Sequence, residues 1–335
     1  MSFSFNYCIL NGKGVDNMSK YILSDRPFRK EFNEKIAKID SDYRFVLEDE
    51  LVNDADWQNV EITIGWKKHW KDKLLYEGTP LKWVQSISAG VDYLPLVEFE
   101  NYNVKLSNSS GVHAQAIADH LLAILFMQNR GIFSAIQNQR HAKWEVNGDD
   151  YAFMQDLRVL IVGTGKIGQR LASYLDFFYV KPIGINTNGR EIEHFKETYS
   201  LSELDEQANK ADVVINILPL TEDTYHLYNA EFFKNMKATA TFINVGRGPS
   251  VATTDLYQAL QEHEIAFAAI DVFEQEPLPA DHPLWQLENI LITPHISGFT
   301  PHFQKKFMKI FLLDFIMKLA TWLTYKKRHV NFMLY

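Results

Sequence analysis

The feature that most constrains the fold is a glycine-rich turn, GTGKIG, at residues 163–168. It follows an apolar run at residues 158–162 and opens a stretch of helical spacing near Lys166. In a strand–turn–helix unit that binds dinucleotides, the first glycine permits the tight turn, the second lets the backbone approach a pyrophosphate, and the third lets the helix pack on the strand. The N-terminus of that helix faces the phosphates. The turn therefore predicts a Rossmann-type dinucleotide site that includes Gly163, Gly165, Lys166, Ile167 and Gly168.

Two series of short apolar runs alternate with helical patterns along the chain. The first series comprises residues 5–10, 44–47, 61–64, 83–87 and 104–106. The second comprises residues 159–162, 181–185, 213–217, 241–245, 267–270 and 290–292. Runs of the second series are apolar on both faces, as expected for parallel strands covered by helices on both sides. Because 335 residues with 46% hydrophobic content can bury two ordinary cores, we predict an α/β fold with two doubly wound, parallel-sheet domains.

The charge balance argues against two classes of partner. The formal net charge is -8 and the pI is about 5.8, so we expect no broad basic surface for nucleic acid or an anionic membrane. The apolar residues 307–325 are interrupted by Lys309, Asp314 and Lys318, which predicts an amphipathic helix closing a core rather than a membrane span. Because Cys8 is the single cysteine and the N-terminus has no leader pattern, we expect a cytoplasmic protein without an intramolecular disulfide.

The segment after the second strand of the second series bears on the choice of cofactor. An acidic residue usually stands about twenty positions after the glycine turn, where it binds the adenosine ribose hydroxyls. This chain has Asn186, Thr187 and Arg190 there instead. Amide, hydroxyl and guanidinium groups can donate to a 2′-phosphate that a carboxylate would repel, which favours NADP over NAD. The alternative is an ordinary turn with an exposed arginine that accepts either cofactor.

Three polar segments follow strands of the second series, at residues 244–248, 271–279 and 293–298. Ligands of an open parallel sheet bind beyond the carboxyl ends of its strands, so these segments are expected to converge. Arg247 offers a permanent cation for a carboxylate, and His295 can gain and lose a proton near neutrality. Glu276, if it contacts the imidazole, would stabilise its protonated form. Reduction of a 2-oxo acid needs groups of these three types.

Together these motifs make the chain resemble the D-isomer-specific 2-hydroxyacid dehydrogenase family. The likeness covers residues 86–298 and includes SISAGVD at 86–92, the helical entry at 111–130, LPLT at 218–221, EPLP at 276–279 and TPH at 293–295. The resemblance implies three catalytic residues and no metal ion: Arg247, Glu276 and His295. It implies cofactor contacts from Leu218, Pro219, Thr224, Val245 and Asp271, the last near the nicotinamide carboxamide. It also implies that a substrate carboxylate is held by backbone amides of Ala89, Gly90 and Val91.

The resemblance implies an architecture and a reaction as well. We expect a flavodoxin-like substrate domain of residues 1–109 and 298–335, with a Rossmann domain inserted as residues 110–297. The expected reaction is hydride exchange between NAD(P)H and a small 2-oxo acid, such as glyoxylate, hydroxypyruvate or a branched keto acid, to give a D-2-hydroxy acid. One alternative is a phosphoglycerate dehydrogenase, and another is a non-catalytic NAD(P)-sensing protein or corepressor. Trp144 resembles the arm by which such enzymes clasp a second subunit, so we expect a homodimer; the alternative for Trp144 is core packing.

Overall fold

The chain forms two compact units. The computed structural model describes residues 19–146, 148 and 151–330, except for the side chains of residues 320 and 322–330. Cys8 and the strand predicted at residues 5–10 lie outside the described residues. The first unit contains the residues up to Ser109 and from Gln304 onward, and the second unit is Ser110–Phe303.

The chain returns to the first unit at Gln304, six residues later than the predicted 298. His113 ties the intervening residues to the second unit, because its Nδ1 lies 2.7 Å from the Gly298 carbonyl oxygen and its ring stacks on Phe303.

The first unit is built around a five-stranded parallel sheet with the order β2-β1-β3-β4-β5, which is that of flavodoxin-like folds. Its strands are β1 (Lys20–Ser24), β2 (Tyr43–Leu47), β3 (Val60–Ile64), β4 (Trp83–Gln85) and β5 (Lys105–Ser107). Its helices are α1 (Lys30–Ile39), α2 (Asp54–Trp57), α3 (Lys71–Leu74), α4 (Leu96–Asn101) and most of α11 (Phe303–Val330). The prediction missed β1, whose short run KYILS stands directly before a polar segment.

Helix α11 closes the core of the first unit, as predicted. Phe307, Phe311 and Phe315 recur every four residues, so they share one helix face, and each is fully buried. Phe311 stacks on Trp83 with ring centroids 5.1 Å apart, and Phe315 meets the edge of Tyr43 at 5.2 Å. Each such burial contributes roughly 1.5–3 kcal/mol. Among the described residues, no helix is long and apolar enough to cross a membrane.

The second unit is built around a seven-stranded parallel sheet with the order β12-β11-β10-β9-β6-β7-β8. Its strands are β6 (Val159–Val162), β7 (Ile183–Asn186), β8 (Glu197–Ser200), β9 (Val213–Asn216), β10 (Thr241–Asn244), β11 (Phe267–Ile270) and β12 (Ile290–Ile292). Its helices are α5 (Ala114–Asn129), α6 (Ile132–Arg140), α7 (Lys166–Phe177), α8 (Leu204–Lys210), α9 (Ala230–Asn235) and α10 (Thr253–Gln261).

The prediction of two doubly wound parallel sheets is confirmed. In the second unit the strand order reverses between β6 and β9, which is where ligands bind in such sheets. The prediction missed β8, because this edge strand, ETYS, is mostly polar and only half-buried.

Candidate functional site

The glycine turn follows β6 at the point where the sheet order reverses. Gly163 has a φ of 110°, and a Cβ there would lie 3.2 Å from the Ile217 carbonyl carbon. A Cβ on Gly168 would lie 2.3 Å from the Gly163 oxygen, so α7 packs on the turn only with glycine at that position. Gly165 precedes α7, and a Cβ there would meet no atom within 4 Å. The turn therefore combines tight packing with open space before the helix N-terminus, where Lys166 and Ile167 begin the first helical turn, and this fits a pyrophosphate.

The loop after β7 is shaped by Asn186. This side chain is buried; its Oδ1 accepts hydrogen bonds from the amides of Asn188 and Arg190, both 3.2 Å away, and its Nδ2 donates to the Arg190 oxygen at 2.9 Å. The Thr198 hydroxyl donates to the same oxygen at 2.8 Å. Asn186 therefore closes the loop, and its cofactor contact stays a prediction. Thr187 and Arg190 carry the exposed side chains.

Thr224 shapes the loop after β9 in a similar way. It is buried, its hydroxyl donates to the Pro219 oxygen at 2.8 Å, and it accepts from the Thr221 amide at 2.7 Å. The side chain thus holds the turn that carries Leu218 and Pro219, rather than projecting from it toward a ligand. Val245, at the end of the next strand, is also buried.

Arg247 stands in the turn after β10. Its Nη1 donates to the Gly246 oxygen at 2.8 Å, and its carbonyl oxygen accepts from the Ser250 hydroxyl at 2.6 Å. A Cβ on Gly248 would lie 1.9 Å from the Phe273 oxygen. Only glycine therefore lets this turn press against the segment that follows β11, which carries Glu276.

Glu276 and His295 are in direct contact. Nδ1 of His295 lies 2.8 Å from Oε2 of Glu276, and Oε1 of the same carboxylate accepts from the Phe273 amide at 3.0 Å. The His295 side chain is 56% exposed. Because Nδ1 faces the carboxylate, Nε2 is the nitrogen left to meet a ligand.

Asp271 holds the segment that carries His295. Its Oδ1 accepts from the Thr293 hydroxyl at 2.5 Å and the Ile296 amide at 2.9 Å, and its Oδ2 accepts from the Ser297 amide at 3.0 Å. Burial by itself would raise the pKa of Asp271, but these hydrogen bonds outweigh it and lower that pKa. The carboxylate therefore holds the 293–297 segment, and the contact with the nicotinamide carboxamide that the resemblance implies stays a prediction.

In the first unit, the loop after β4 offers free backbone donors. Its carbonyl oxygens are taken: Ser88 Oγ donates to the Gly90 oxygen at 2.9 Å, Asn108 Nδ2 to the Ala89 oxygen at 2.9 Å, and the Leu94 amide to the Val91 oxygen at 3.0 Å. The amides of residues 89–91 make no hydrogen bond within the described part of the chain. Successive free amides can form a concave anion site, which is compatible with the carboxylate contact that the resemblance implies for this loop.

Two residues near the site were missed by the sequence prediction. His226 Nε2 lies 2.6 Å from Glu274 Oε1, and Glu274 Oε2 accepts from the Thr253 amide at 2.8 Å. Burial raises the pKa of Glu274, but the hydrogen bonds from Thr253 and His226 outweigh it and lower that pKa. The His226 contact joins the segment after β9 to the one that carries Glu276, and the Thr253 contact joins the start of α10, which follows the Arg247 turn, to the same segment. The one available signal was the position of Glu274, two residues before Glu276.

Comparisons with known proteins agree with this arrangement. A family model described as "D-isomer specific 2-hydroxyacid dehydrogenase, NAD binding domain" matches residues 122–297. The glyoxylate/hydroxypyruvate reductase B of Escherichia fergusonii is 36% identical over 249 residues, which cover 72% of this chain and 76% of that protein.

Two solved structures extend the likeness to both units. The phosphoglycerate dehydrogenase of Lactobacillus plantarum is 38% identical with a TM-score of 0.56, and the match covers 90% of this chain and 97% of that one. A D-isomer specific 2-hydroxyacid dehydrogenase of Xanthobacter autotrophicus Py2, solved with NADPH and MES, is 25% identical with a TM-score of 0.75, over 90% and 95% of the two chains.

Proposed function

The chain belongs to the D-isomer-specific 2-hydroxyacid dehydrogenase family of NAD(P)-dependent oxidoreductases, and from that premise we propose that it reduces a small 2-oxo acid such as glyoxylate or hydroxypyruvate. The observation that carries the proposal is the 2.8 Å contact between His295 and Glu276. The segment that carries Glu276 packs against the turn that carries Arg247. An acid, its carboxylate partner and a cation are the groups that carbonyl reduction requires.

Each group has a defined task in the proposed reaction. A nicotinamide cofactor held at the glycine turn of residues 163–168 would supply the hydride that the carbonyl carbon requires. His295 donates a proton from Nε2 to the carbonyl oxygen, so that the product is the 2-hydroxy acid, and Glu276 stabilises the imidazolium before transfer. Arg247 binds the substrate carboxylate, which orients the carbonyl.

NADPH is the proposed cofactor. The loop after β7 has no carboxylate at residues 186–190, and Arg190 and Thr187 are exposed there while Asn186 holds the backbone. A guanidinium and a hydroxyl suit a 2′-phosphate. The Xanthobacter relative solved with NADPH supports the same choice.

The charges at the carboxyl edge of the first unit's sheet favour an unphosphorylated substrate. Arg26 Nε lies 2.8 Å from Oδ1 of Asp25, and Lys67 Nζ lies 2.6 Å from Glu48. Both cations are therefore already neutralised by carboxylates, whereas the neighbouring Lys68 is exposed. The likeness to a phosphoglycerate dehydrogenase keeps a phosphorylated 2-oxo acid as the second candidate.

A homodimer is part of the proposal. Trp144 is 99% exposed within its own chain, so the alternative of core packing is wrong. The second unit also has an open pocket of about 890 Å³ near the carboxyl ends of α5 and α7, lined by Phe126, Phe153, Phe177, Phe178 and Tyr179 among others. Exposed aromatic surface of this kind marks protein interfaces.

The experiment is an initial-rate assay of NADPH and NADH oxidation with glyoxylate, hydroxypyruvate, 2-oxoisocaproate and 3-phosphohydroxypyruvate. We expect turnover with NADPH and an unphosphorylated acid. Higher kcat/KM with 3-phosphohydroxypyruvate would replace the proposed substrate with the phosphorylated one. Cofactor binding without turnover of any acid would overturn the enzymatic proposal in favour of a nucleotide sensor.

A further inference from the structure

A buried cluster of polar side chains lies at the carboxyl ends of β9 and β10. Asn216 ends β9, Asn244 ends β10 in register with it, and Ser250 and Tyr228 come from the segments around them. All four side chains are 0% exposed. Buried polar groups are costly unless every donor and acceptor is matched, so the pairing within this cluster decides its role.

Asn216 is the centre of the cluster, and its amide is fully used. Nδ2 donates to Asn244 Oδ1 and to Ser250 Oγ, both at 2.9 Å. Oδ1 accepts from the Leu218 amide at 3.0 Å and from the Tyr228 hydroxyl at 3.1 Å. A side-chain amide has two donors and two acceptor positions, and all four are matched here. The orientation is unambiguous because a backbone amide can only donate.

The partners of Asn216 act on the turn that carries Arg247. Ser250 Oγ donates to the Arg247 carbonyl oxygen at 2.6 Å, and Asn244 Nδ2 donates to the same oxygen at 3.2 Å. Asn244 Oδ1 also accepts from the Gly246 amide at 3.0 Å. Through these partners, the Arg247 backbone is held by a chain of hydrogen bonds that begins at Asn216.

Asn216 also contacts the loop that carries Leu218 and Pro219. The Leu218 amide bonds to Asn216 directly, and a Cβ on Gly246 would lie 2.7 Å from the Leu218 oxygen and 2.9 Å from Asn216 Nδ2. The two turns are therefore in close backbone approach, with the Asn216 amide between them.

We propose that Asn216 is a positioning residue of the reaction, which fixes the proposed cofactor loop at Leu218 and the backbone of Arg247 in one arrangement. The inference rests on the proposed roles of those two segments. Asn216 touches neither substrate nor cofactor; it acts through Ser250 and Asn244 on the residue that binds the carboxylate.

Three variants test the cluster at different points. Asn216→Asp replaces the two donors with an acceptor that faces Asn244 Oδ1 and draws the Ser250 hydroxyl away from Arg247. Ser250→Ala removes the donor to Arg247 but leaves the Leu218 contact. Tyr228→Phe removes one partner of Oδ1 and leaves both turns bonded; burial holds the pKa of Tyr228 well above its ordinary value, so its hydroxyl is a donor throughout the neutral range.

The readouts are kcat and KM for the 2-oxo acid and for NADPH, the affinity for oxamate as an unreactive 2-oxo acid mimic, and amide hydrogen exchange of residues 217–221 and 245–251. For Asn216→Asp we expect kcat/KM to fall about tenfold or more, with weaker oxamate binding and faster exchange in both segments. Ser250→Ala should weaken oxamate binding and speed exchange at 245–251 alone, and Tyr228→Phe should change kcat/KM about twofold or less.

Thr241→Val is the matched control, since Thr241 is a buried hydroxyl at the amino end of β10 and lies outside the cluster. It should leave the kinetics and both exchange segments unchanged. A folded Asn216→Asp protein with wild-type oxamate affinity and exchange would overturn the proposal; if that variant does not fold, the same result for Ser250→Ala would overturn it. Hydrogen exchange tests the cluster even if the wild-type protein reduces no 2-oxo acid, an outcome that would overturn only the proposed function.

Discussion

His295 adopts a backbone conformation that few non-glycine residues occupy. Its φ is 54°, in the left-handed region, and its amide is fixed by the Asp271 oxygen at 2.9 Å. Non-glycine residues persist in such conformations where the surrounding structure holds them, often at functional sites. The strained backbone therefore agrees with the role proposed for the imidazole.

Replacement of His295 tests that role. His295→Asn is preferable to alanine because asparagine tolerates the left-handed region. We expect kcat for reduction to fall by about 10²- to 10⁴-fold, because the proton donor is lost. The affinity for NADPH should be unchanged, because the substitution leaves the glycine turn intact. Steady-state rates and a fluorescence titration with NADPH measure both. His263→Asn, at an exposed histidine with a φ of 55°, is the control. A wild-type kcat in His295→Asn would contradict the proposed mechanism.

Arg190 decides the cofactor preference in our proposal. Arg190→Ala should raise KM for NADPH by about 10- to 100-fold, the value of a hydrogen-bonded charge pair, and leave KM for NADH unchanged. Arg44→Ala, at an exposed arginine in the first unit, controls for the loss of a cation. An equal rise in KM for NADPH and for NADH would show that Arg190 does not bind the 2′-phosphate.

At the scale of elements, six of the seven strands of the second unit were predictable, whereas its edge strand β8 and the inner strand β1 of the first unit were not. Apolar runs marked β6, β7, β9, β10, β11 and β12, because buried parallel strands need apolar side chains on both faces. The edge strand β8 lacks that requirement, so its sequence carries no such signal. The strand β1 is partly buried, and its run KYILS stands directly before a polar segment.

Asp271 links β11 to the segment that carries His295, and its loss should weaken that link. Asp271→Asn puts an amide donor against backbone and hydroxyl donors, so we expect the free energy of unfolding to fall by about 1–3 kcal/mol at neutral pH. The pKa of Asp271 in the folded protein is lowered from its ordinary value of 3.8. The ionised carboxylate therefore stabilises the fold at pH values above 3.8, and this contribution is lost as the pH falls below 3.8. The difference between the two proteins should therefore shrink in acid.

Denaturant unfolding at several pH values measures this difference, with Asp281→Asn, an exposed residue, as control. A difference that stayed constant down to the most acidic folded conditions would show that the charge of Asp271 is not the source of its contribution.

At the scale of the whole molecule, the exposed Trp144 predicts self-association. We expect light scattering to give twice the chain mass of 38.9 kDa for the wild-type protein and the single-chain mass for Trp144→Ser. An aromatic residue that becomes buried between two subunits contributes strongly to their interface, so the loss of Trp144 should shift the monomer–dimer equilibrium toward the monomer. Val52→Ser, at a residue 86% exposed in the first unit, should leave the mass unchanged. A Trp144→Ser dimer of wild-type stability would place the interface elsewhere.

By itself, the sequence determined the doubly wound class and the glycine turn, and it predicted that the segments carrying Arg247, Glu276 and His295 follow strands of one sheet. These depend on local patterns, on burial of both strand faces, and on residue types that follow strands at one sheet edge. The tertiary structure alone decided that Asn186, Thr224 and Asp271 hold loops, and that Asn216 joins the turns at Leu218 and Arg247. A polar side chain near a site either meets a ligand or closes a turn, and only the distances set by the assembled sheet show which donors and acceptors are already matched.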